Sequence, residues 1–354
     1  MAEFSREEMT EITIKDIAKK CGVGVSTVSR AINDHPDINP MTRQMIMDVI
    51  AQTGFIPNNS ARNLKRTDAK CIAVLVKGII NPFFVSMIQV IEEEIQRNKY
   101  ALVLRHVGAY EDEVDVALAL VKEKRLSGIL FLGGAFRHEQ MKLAKLTVPF
   151  VFSTIGIEAS GDGNEAAYSN IAVDDRAESK KMTEYLLGLG HRKIAIITEG
   201  SEEPSVGQLR LEGYEEAFRE HGMEVDSHMI WYVQEDIPHY SLENGYLTTK
   251  KILAADTGAT AIYATADLLA IGACRAILEA GKRIPEDISV VGYDGISLGE
   301  YYNPKLTTIK QPAGDMAKET ISLLLNVIEG RESHRQIIFE AKLLERESAA
   351  AIRR

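Results

Sequence analysis

Apolar residues follow two different patterns along the chain, and the change between them falls near Thr67. Between Ile12 and Arg66, apolar positions recur at helical spacing in three short segments separated by glycine and polar residues. After Thr67, short continuous apolar runs alternate with amphipathic segments long enough to form helices. The pattern therefore predicts a small helical domain followed by a larger α/β region.

The N-terminal segment is predicted to form three helices. Thr13 can cap the first helix, and Gly22 can end it. A tight turn follows, after which the hydroxyl of Ser26 can cap a second helix. Asn39 before Pro40 is typical of a third helix start. Two short helices joined by a tight turn predict a helix-turn-helix unit.

The region after Thr67 is predicted to form two lobes of parallel sheet flanked by helices. Continuous apolar strands that alternate with helices are typical of sheets covered on both faces. A segment rich in glycine, serine and alanine, residues 155–170, interrupts the array and favours two lobes that face a cleft. The expected strands are 71–76, 100–104, 128–132, 148–152, 193–197, 229–233, 259–263 and 288–292.

Charge is distributed unevenly between these two regions. The chain carries 51 acidic and 41 basic side chains, a net charge of -10, which by itself argues against a nucleic-acid partner. Residues 12–66 contain eight basic and four acidic side chains, so this segment is +4 and the remainder is -14. The basic segment is therefore the candidate surface for nucleic acid.

Several function classes lack their sequence signatures. The three cysteines are widely spaced, and we expect neither disulfides nor a metal site. Glycine-rich phosphate loops and nucleophile elbows are also missing, so we expect no enzyme activity and no cofactor. Long apolar runs and a secretory signal are lacking, which predicts a cytoplasmic protein without membrane contact.

The N-terminal motifs closely resemble those of the lactose-repressor (LacI/GalR) family. The resemblance rests on residues 13–18 (TIKDIA), 25–33 (VSTVSRAIN), 42–43 (TR), 54–58 (GFIPN) and 61–64 (ARNL). It extends over essentially the whole chain, because the remainder is similar to that family's effector-binding core, which itself resembles periplasmic sugar-binding proteins. The family implies a homodimeric transcriptional regulator, expected to be a repressor, that binds a near-palindromic DNA operator under control of a small molecule.

The resemblance and the charge boundary together give the expected domains. Residues 1–57 are expected to form the helix-turn-helix domain, and residues 58–69 a hinge helix and linker. The core is expected to divide into a first lobe, 70–172 with 312–336, and a second lobe, 173–311 with 337–354.

The second helix of such a unit enters the major groove with its N-terminal side chains against base edges. Val25 can contact a thymine methyl, Ser26 and Thr27 can reach bases or phosphates, and Arg30 can bind guanine in a fork. Turn packing for Val25, capping for Ser26, and an ion pair or phosphate contact for Arg30 remain alternatives. The expected DNA-contacting residues are Thr13, Val25, Ser26, Thr27, Ser29, Arg30, Asn33, Asn58, Ala61, Leu64 and Lys65.

Residues 58–66 resemble the family's hinge helix. This segment is too short to be stably helical alone, so it is expected to order on DNA beside a second subunit. Ala61 is small enough for two hinge helices to touch, and Leu64 is expected to wedge into a minor-groove step. The alternative is that Leu64 belongs to a flexible linker.

The cleft is expected to bind the effector, since ligands of parallel α/β sheets bind beyond the carboxyl ends of strands. Arg210 occupies the family's ligand-clamping position, and an arginine with carboxylates suits a sugar or sugar derivative. The expected effector-binding residues are Phe83, Phe84, Ser153, Thr154, Asp174, Arg210, Asp267 and Asp294.

Other roles are open for several of these side chains. Arg210 and Asp294 could form a salt bridge, one of the two phenylalanines could belong to the core, and Asp267 could cap its helix. His239 and Tyr240 are a further pair near the cleft mouth. At the level of the whole protein, the alternative is an intracellular or transport-type solute-binding protein without a DNA role, which the basic segment disfavours.

Overall fold

The computed structural model describes residues 12–32, 35–55, 70–108, 110–136, 138–156, 168–200 and 205–352. The chain divides into two compact units, Met1–Ala69 and Lys70–Arg354. The first unit contains three helices, α1 (Ile14–Cys21), α2 (Val25–Ile32) and α3 (Pro40–Thr53). The predicted helix-turn-helix arrangement is therefore confirmed.

Local signals define the ends of these helices. The hydroxyl of Thr13 donates a 2.6 Å hydrogen bond to Asp16 Oδ2, which also accepts one from the Thr13 amide. Gly22 ends α1 in the left-handed region, at φ 65°. Asn39 Oδ1 accepts hydrogen bonds from the amides of residues 41 and 42. The helix boundaries predicted at Thr13, Gly22 and Asn39 are confirmed.

The predicted cap of α2 is wrong. The helix begins at Val25, and the carbonyl of Gly24 accepts a 3.2 Å hydrogen bond from the Val28 amide. Ser26 thus lies within the first turn, where its side chain is exposed. The buried core beneath the three helices consists of Ile17, Ala18, Val28, Ala31 and Ile46.

The second unit contains two six-stranded sheets. The strands of the first sheet are β1 (Cys71–Lys77), β2 (Ala101–Val107), β3 (Leu126–Leu132), β4 (Phe150–Ser153), β5 (Ser169–Val173) and β11 (Gln336–Phe339). The strands of the second sheet are β6 (Ile194–Thr198), β7 (Ile230–Tyr232), β8 (Ala261–Ala264), β9 (Ser289–Asp294), β10 (Thr307–Lys310) and β12 (Lys342–Leu344).

Helices cover both sheets. The helices of the first lobe are α4 (Pro82–Arg97), α5 (Glu113–Glu123), α6 (Gln140–Leu143) and α12 (Ala313–Ile328). Those of the second lobe are α7 (Asp175–Gly188), α8 (Val206–Glu220), α9 (Leu242–Ala254), α10 (Asp267–Glu279), α11 (Leu298–Tyr301) and the 3-10 helix Ser227–Met229.

The strand orders are β11-β5-β4-β3-β1-β2 and β12-β10-β9-β8-β6-β7. All neighbouring strands run parallel except β10 and β12. Along β1, Ile72, Val74 and Val76 pack into one core cluster, while Ala73 and Leu75 pack into another on the opposite face. Burial on both faces explains why this strand is a continuous apolar run. The predicted fold class is confirmed.

The chain crosses between the lobes three times: after β5, after β10 and after β11. Strands β5 and β11 both belong to the first sheet, so the first crossing follows Val173 and the last follows Phe339. The boundaries expected after residues 172 and 336 are therefore slightly too early. Strand β5 was not expected, because it lies at the end of the segment interpreted as an interruption.

Glycine allows very close contact between two helices that carry candidate site residues. A Cβ atom added to Gly213 in α8 would lie 2.1 Å from the carbonyl oxygen of Arg176 and 2.9 Å from the amide nitrogen of Lys180, both in α7. These are backbone atoms, which cannot move aside as a flexible side chain can. Only glycine therefore fits at this contact between α7 and α8.

We predict that Gly213→Ala destabilises the second unit by about 3 kcal/mol, the upper range for overpacking, because the clash is with backbone. Urea unfolding followed by the fluorescence of Trp231, the only tryptophan, measures this. Gly188→Ala in α7 is the matched control, since its added Cβ meets no atom within 4 Å. Equal stability of the two variants would contradict the close-contact interpretation.

Candidate effector cleft and DNA-binding surface

Arg210 is the centre of a buried polar cluster in the second lobe. Its position on α8 directs the guanidinium toward α7, where Asp175 Oδ1 lies 2.8 Å from both Nε and Nη2. Nη1 donates a 2.5 Å hydrogen bond to the carbonyl of Thr265, directly after β8. The guanidinium carbon lies 3.6 Å from the centroid of the Tyr293 ring. Arg210 is thus held on three sides by three different elements.

The charge of Arg210 is maintained by its neighbours. Burial alone would lower the pKa of Arg210, but the carboxylates of Asp175 and Asp294 outweigh burial and raise this pKa well above its ordinary value. The side chains of Arg210 and Asp175 are both almost completely buried. A buried ion pair of this kind is stable only while both partners are present.

Asp294 joins the two lobes. It is the last residue of β9, and its Oδ2 atom accepts a 2.9 Å hydrogen bond from Asn81 Nδ2 in the first lobe. Its Oδ1 atom accepts a 2.9 Å hydrogen bond from Gln311, at the crossing after β10. Asp294 has φ 113°, in the region that favours glycine. Burial raises the pKa of Asp294, although Arg210 acts in the opposite direction.

Asn81 also organises the first lobe's side of this junction. Its Oδ1 atom accepts a 3.0 Å hydrogen bond from the Phe83 amide and caps α4. The same side chain therefore caps a first-lobe helix and donates to a second-lobe carboxylate. A second contact between the lobes is the 3.1 Å hydrogen bond from the Tyr110 hydroxyl to the carbonyl of Glu235.

Asp267 has a structural role in place of the expected ligand contact. Its side chain is fully buried, with Oδ2 accepting from the Ile296 amide at 2.8 Å and Oδ1 from the Thr308 hydroxyl at 2.6 Å. The residue at the cap of α10 is Ala266, so the alternative of helix capping by Asp267 is also wrong. Burial raises the pKa of Asp267 well above its ordinary value. By accepting the hydrogen bond from the Ile296 amide, Asp267 stabilises the loop that follows β9.

Asp174, which was expected to contact the effector, is exposed and caps α7: its Oδ1 atom accepts a 2.9 Å hydrogen bond from the Ala177 amide. Asp175, one residue later, is buried against Arg210. Asp175 was not among the expected site residues. Nothing in the local sequence distinguishes the two aspartates except the position of the helix start.

The remaining expected residues lie in the first lobe. Ser153 is fully buried and accepts a 3.0 Å hydrogen bond from Thr320 in α12, which is a packing role rather than a ligand contact. Thr154 has φ 75°, and its hydroxyl oxygen accepts a 3.0 Å hydrogen bond from the Gly133 amide. Phe83 is buried in the core, while Phe84 is only partly buried, with the rings 5.4 Å apart. This division matches the alternative in which one phenylalanine belongs to the core.

Three polar atoms beside Arg210 are buried without a hydrogen bond of standard geometry in the part of the chain that the structure describes. They are Asp175 Oδ2, the Tyr240 hydroxyl and the Tyr293 hydroxyl. The two tyrosine hydroxyls still interact with carboxylates, that of Tyr293 with Asp175 and that of Tyr240 with Glu199. A ligand that carries hydroxyl groups can both donate to a carboxylate and exchange hydrogen bonds with tyrosine.

Of the DNA-binding residues expected on α2, Val25, Ser26 and Thr27 lie in its first turn, and Ser29 and Arg30 lie in its second half. Val25 is 42% exposed, and the side chains of Ser26 and Arg30 are exposed as well. Thr27 and Ser29 are half-buried, and Thr13 is exposed at the cap of α1. Asn33, Asn58, Ala61, Leu64 and Lys65 lie outside the described residues.

Metal and membrane features were searched within the described ranges. There, no group of three or more histidine, cysteine, aspartate or glutamate side chains is arranged to hold a metal ion. Within the same ranges, every helix is too short or too polar to cross a membrane.

The buried ion pair allows a test of how the cluster is held together. We predict that Asp175→Asn lowers the free energy of unfolding by about 3 kcal/mol or more, because it leaves the Arg210 charge buried without its counterion. Arg176→Gln, at the neighbouring position, removes an exposed pair with Glu212 and should cost about 1 kcal/mol or less. Urea unfolding measures both, and similar losses would contradict the special role of the buried pair.

Comparisons with known proteins agree with both units. Residues 13–58 match the model of bacterial regulatory proteins of the lacI family, and residues 183–349 match the periplasmic binding protein-like domain. The chain is 36% identical over 341 residues to the HTH-type transcriptional regulator MalR of Clostridium butyricum, covering 95% of this chain and 99% of MalR. It is 31% identical over 347 residues to the ribose operon repressor of Haemophilus influenzae, covering 96% and 99%.

A solved structure extends the comparison to three dimensions. A LacI family transcriptional regulator from Enterococcus faecium with bound ribose superposes with a TM-score of 0.69 at 28% identity, covering 80% of this chain and 100% of that one. The sequence matches span nearly the full length of both relatives, and the fold matches that of a regulator. The protein therefore belongs to the lacI family of bacterial regulatory proteins, which are DNA-binding transcriptional regulators.

Proposed function

We propose that the protein is a transcriptional repressor that binds a near-palindromic operator as a homodimer. A small-molecule effector, a sugar or sugar derivative bound between the two lobes, controls its affinity for DNA. The observation that carries this proposal is the Arg210 cluster, which lies directly beside the Asn81–Asp294 hydrogen bond between the lobes. A ligand bound there reaches both lobes at once.

The donors of Arg210 suit a polyhydroxylated ligand. Asp175 accepts hydrogen bonds from Nε and Nη2 of Arg210, and the carbonyl of Thr265 accepts one from Nη1. One N–H group on each guanidinium nitrogen is therefore used within the protein. The two terminal nitrogens each carry a second N–H group, which can donate to vicinal hydroxyl oxygens. Asp294 can accept hydrogen bonds from the same hydroxyls, and the partly buried ring of Phe84 offers an apolar face to a sugar ring. The relative solved with bound ribose supports a carbohydrate effector for this chain.

The family to which the chain belongs implies a homodimer, and this state is part of the proposal. A twofold dimer presents two copies of α2, so its operator is expected to be a near-palindrome.

The three crossings between the lobes serve as the hinge of the proposed mechanism. A ligand that binds one lobe arrangement more tightly shifts the population toward it. The lobe arrangement sets the spacing of the hinge segments, residues 58–69, and the DNA affinity follows. Coupling of this kind is reciprocal, so operator DNA changes the effector affinity by the same factor. The mechanism needs no catalytic step, and a repressor of this kind acts in the cytoplasm.

A solute-binding protein without a DNA role is the alternative. Its two-lobed core would serve equally well for ligand binding. The match of residues 13–58 to the lacI family disfavours this alternative, since a transport protein has no use for a helix-turn-helix domain.

Leu64→Ala tests the proposed hinge wedge. We predict a tenfold or greater loss of affinity for palindromes with a central CG step, because the contacts that DNA bending permits are lost with the wedge. Fluorescence anisotropy at moderate salt, on a panel of palindromes, measures both affinity and sequence preference. Met141→Ala, which truncates an exposed side chain of the core, is the control. Indifference to operator sequence, or unchanged affinity in Leu64→Ala, would refute this mechanism.

Asp294→Ala tests the proposed effector site. A hydrogen bond to a charged group contributes about 1.5–3 kcal/mol, so we predict a loss of roughly tenfold to hundredfold in effector affinity. Calorimetry with a sugar library measures this in the wild type and the variant. Asp315→Ala, at an exposed position in the first turn of α12, should bind like the wild type. Equal binding by Asp294→Ala and Asp315→Ala would refute the assignment.

A further inference from the structure

A second polar pair lies at the same edge of the second sheet as Asp294. Glu199 directly follows β6, so it stands at the carboxyl end of a strand, as Asp294 does at the end of β9. Glu199 Oε2 lies 3.2 Å from His239 Nδ1, in the segment that precedes α9. Its other oxygen, Oε1, accepts a 3.3 Å hydrogen bond from the Gly207 amide at the start of α8.

Contacts with neighbouring groups stabilise the charged form of Glu199. Burial raises its pKa, but the hydrogen bond from His239 and the other polar contacts outweigh burial and lower the pKa below the ordinary value. Asp294, in contrast, has a raised pKa because of burial. The side chain of Glu199 is only 12% exposed, whereas that of His239 is 36% exposed. Water screens the histidine charge more than the carboxylate charge.

The two cations that contact this group of carboxylates each have an acidic partner. Arg210 is paired with Asp175 at 2.8 Å, and His239 is paired with Glu199. Asp294 adds a further carboxyl group, and Tyr240 lies in electrostatic contact with both Glu199 and Arg210. An incoming anion therefore meets the carboxyl groups of Glu199 and Asp294 beside two cations that already have acidic partners.

One buried atom of the cluster, Asp175 Oδ2, has the same preference. It has no hydrogen-bond partner of standard geometry among the described residues, although Tyr293 interacts with this carboxylate. A carboxylate oxygen can be satisfied only by a donor. A sugar hydroxyl is a donor, whereas an ionised carboxylate or phosphate group is an acceptor only. Asp175 Oδ2 therefore favours a hydroxyl group on the ligand, whereas the hydroxyls of Tyr240 and Tyr293 can donate to either kind of group.

We infer that this cleft selects an uncharged polyhydroxylated effector and rejects sugars that carry a carboxylate or phosphate, with Glu199 as the residue that determines this specificity. The inference rests on the proposed function, because it concerns the ligand of the same cleft. Glu199 acts on the charge of the ligand, whereas Arg210 and Asp294 bind its hydroxyl groups.

The experiment compares neutral sugars with their carboxylated counterparts at about pH 6, where the raised pKa of His239 keeps its imidazole charged and the sugar carboxylates are ionised. The probes are glucose with glucuronate and galactose with galacturonate, within a larger panel of neutral mono- and disaccharides that includes ribose and cellobiose. Calorimetry on the full-length wild type should show binding of at least one neutral sugar, with its carboxylated counterpart bound about a hundredfold or more weakly.

Two variants should change this preference in opposite directions. Glu199→Gln should reduce the preference for the neutral sugar about tenfold, a change of about 1.4 kcal/mol, because the repelling charge is removed. His239→Gln should increase the preference, because Glu199 loses its partner. Glu286→Gln removes one exposed carboxylate elsewhere in the second lobe and should leave the preference unchanged. Opposite shifts from two neighbouring substitutions are not expected from simple loss of packing.

The outcomes separate this inference from the proposed function. Equal binding of a neutral sugar and its carboxylated counterpart by the wild type would overturn the inference alone. Equal changes in Glu199→Gln and Glu286→Gln, or a weaker preference in His239→Gln, would also overturn it. Failure of every neutral sugar to bind would overturn the carbohydrate effector itself, and the inference with it.

Discussion

The buried ion pair between Arg210 and Asp175 is the interaction on which the rest of the cleft depends. Two charges out of water are stable only when their geometry is good and their remaining hydrogen-bonding groups are satisfied. That geometry requires α7 and α8 to touch, which Gly213 permits. The pair fixes Arg210 against Thr265 and the Tyr293 ring, and through these contacts it ties together α7, α8 and the ends of β8 and β9. The donors left on Arg210 are therefore presented by a rigid frame.

The junction between the lobes uses groups that a ligand would also need. Asp294 accepts hydrogen bonds from Asn81 in the first lobe and from Gln311 at a crossing. A ligand hydroxyl that donates to Asp294 must share this carboxylate with Asn81 or replace it. Asn81 also caps α4, so a change at Asp294 reaches a helix of the opposite lobe. In the proposed mechanism, ligand binding and lobe geometry are thus connected through the Asn81–Asp294 hydrogen bond.

Sequence signals predicted those features that depend on neighbouring residues. The helix ends at Thr13, Gly22 and Asn39 depend on contacts within one helical turn. The burial of β1 can be predicted because its own residues form a continuous apolar run. Features that depend on distant partners were missed. Whether Asp174 or Asp175 contacts Arg210 depends on where α7 begins, and Arg210 lies 35 residues after Asp175 in the chain. The structural role of Asp267 depends on Thr308, 41 residues away, and the pairing of β11 with β5 depends on the return of the chain to the first lobe.

Charge is distributed unevenly along the chain. The net charge of -10 divides into +4 over residues 12–66 and -14 over the rest. Phosphate neutralisation by the basic segment favours DNA, whereas an acidic core is repelled by it. Within the core, the balance of Glu199, Asp175 and Asp294 against Arg210 and His239 disfavours anions in the same manner. An acidic core that repels phosphate leaves the basic segment, residues 12–66, as the part of the protein suited to bind it.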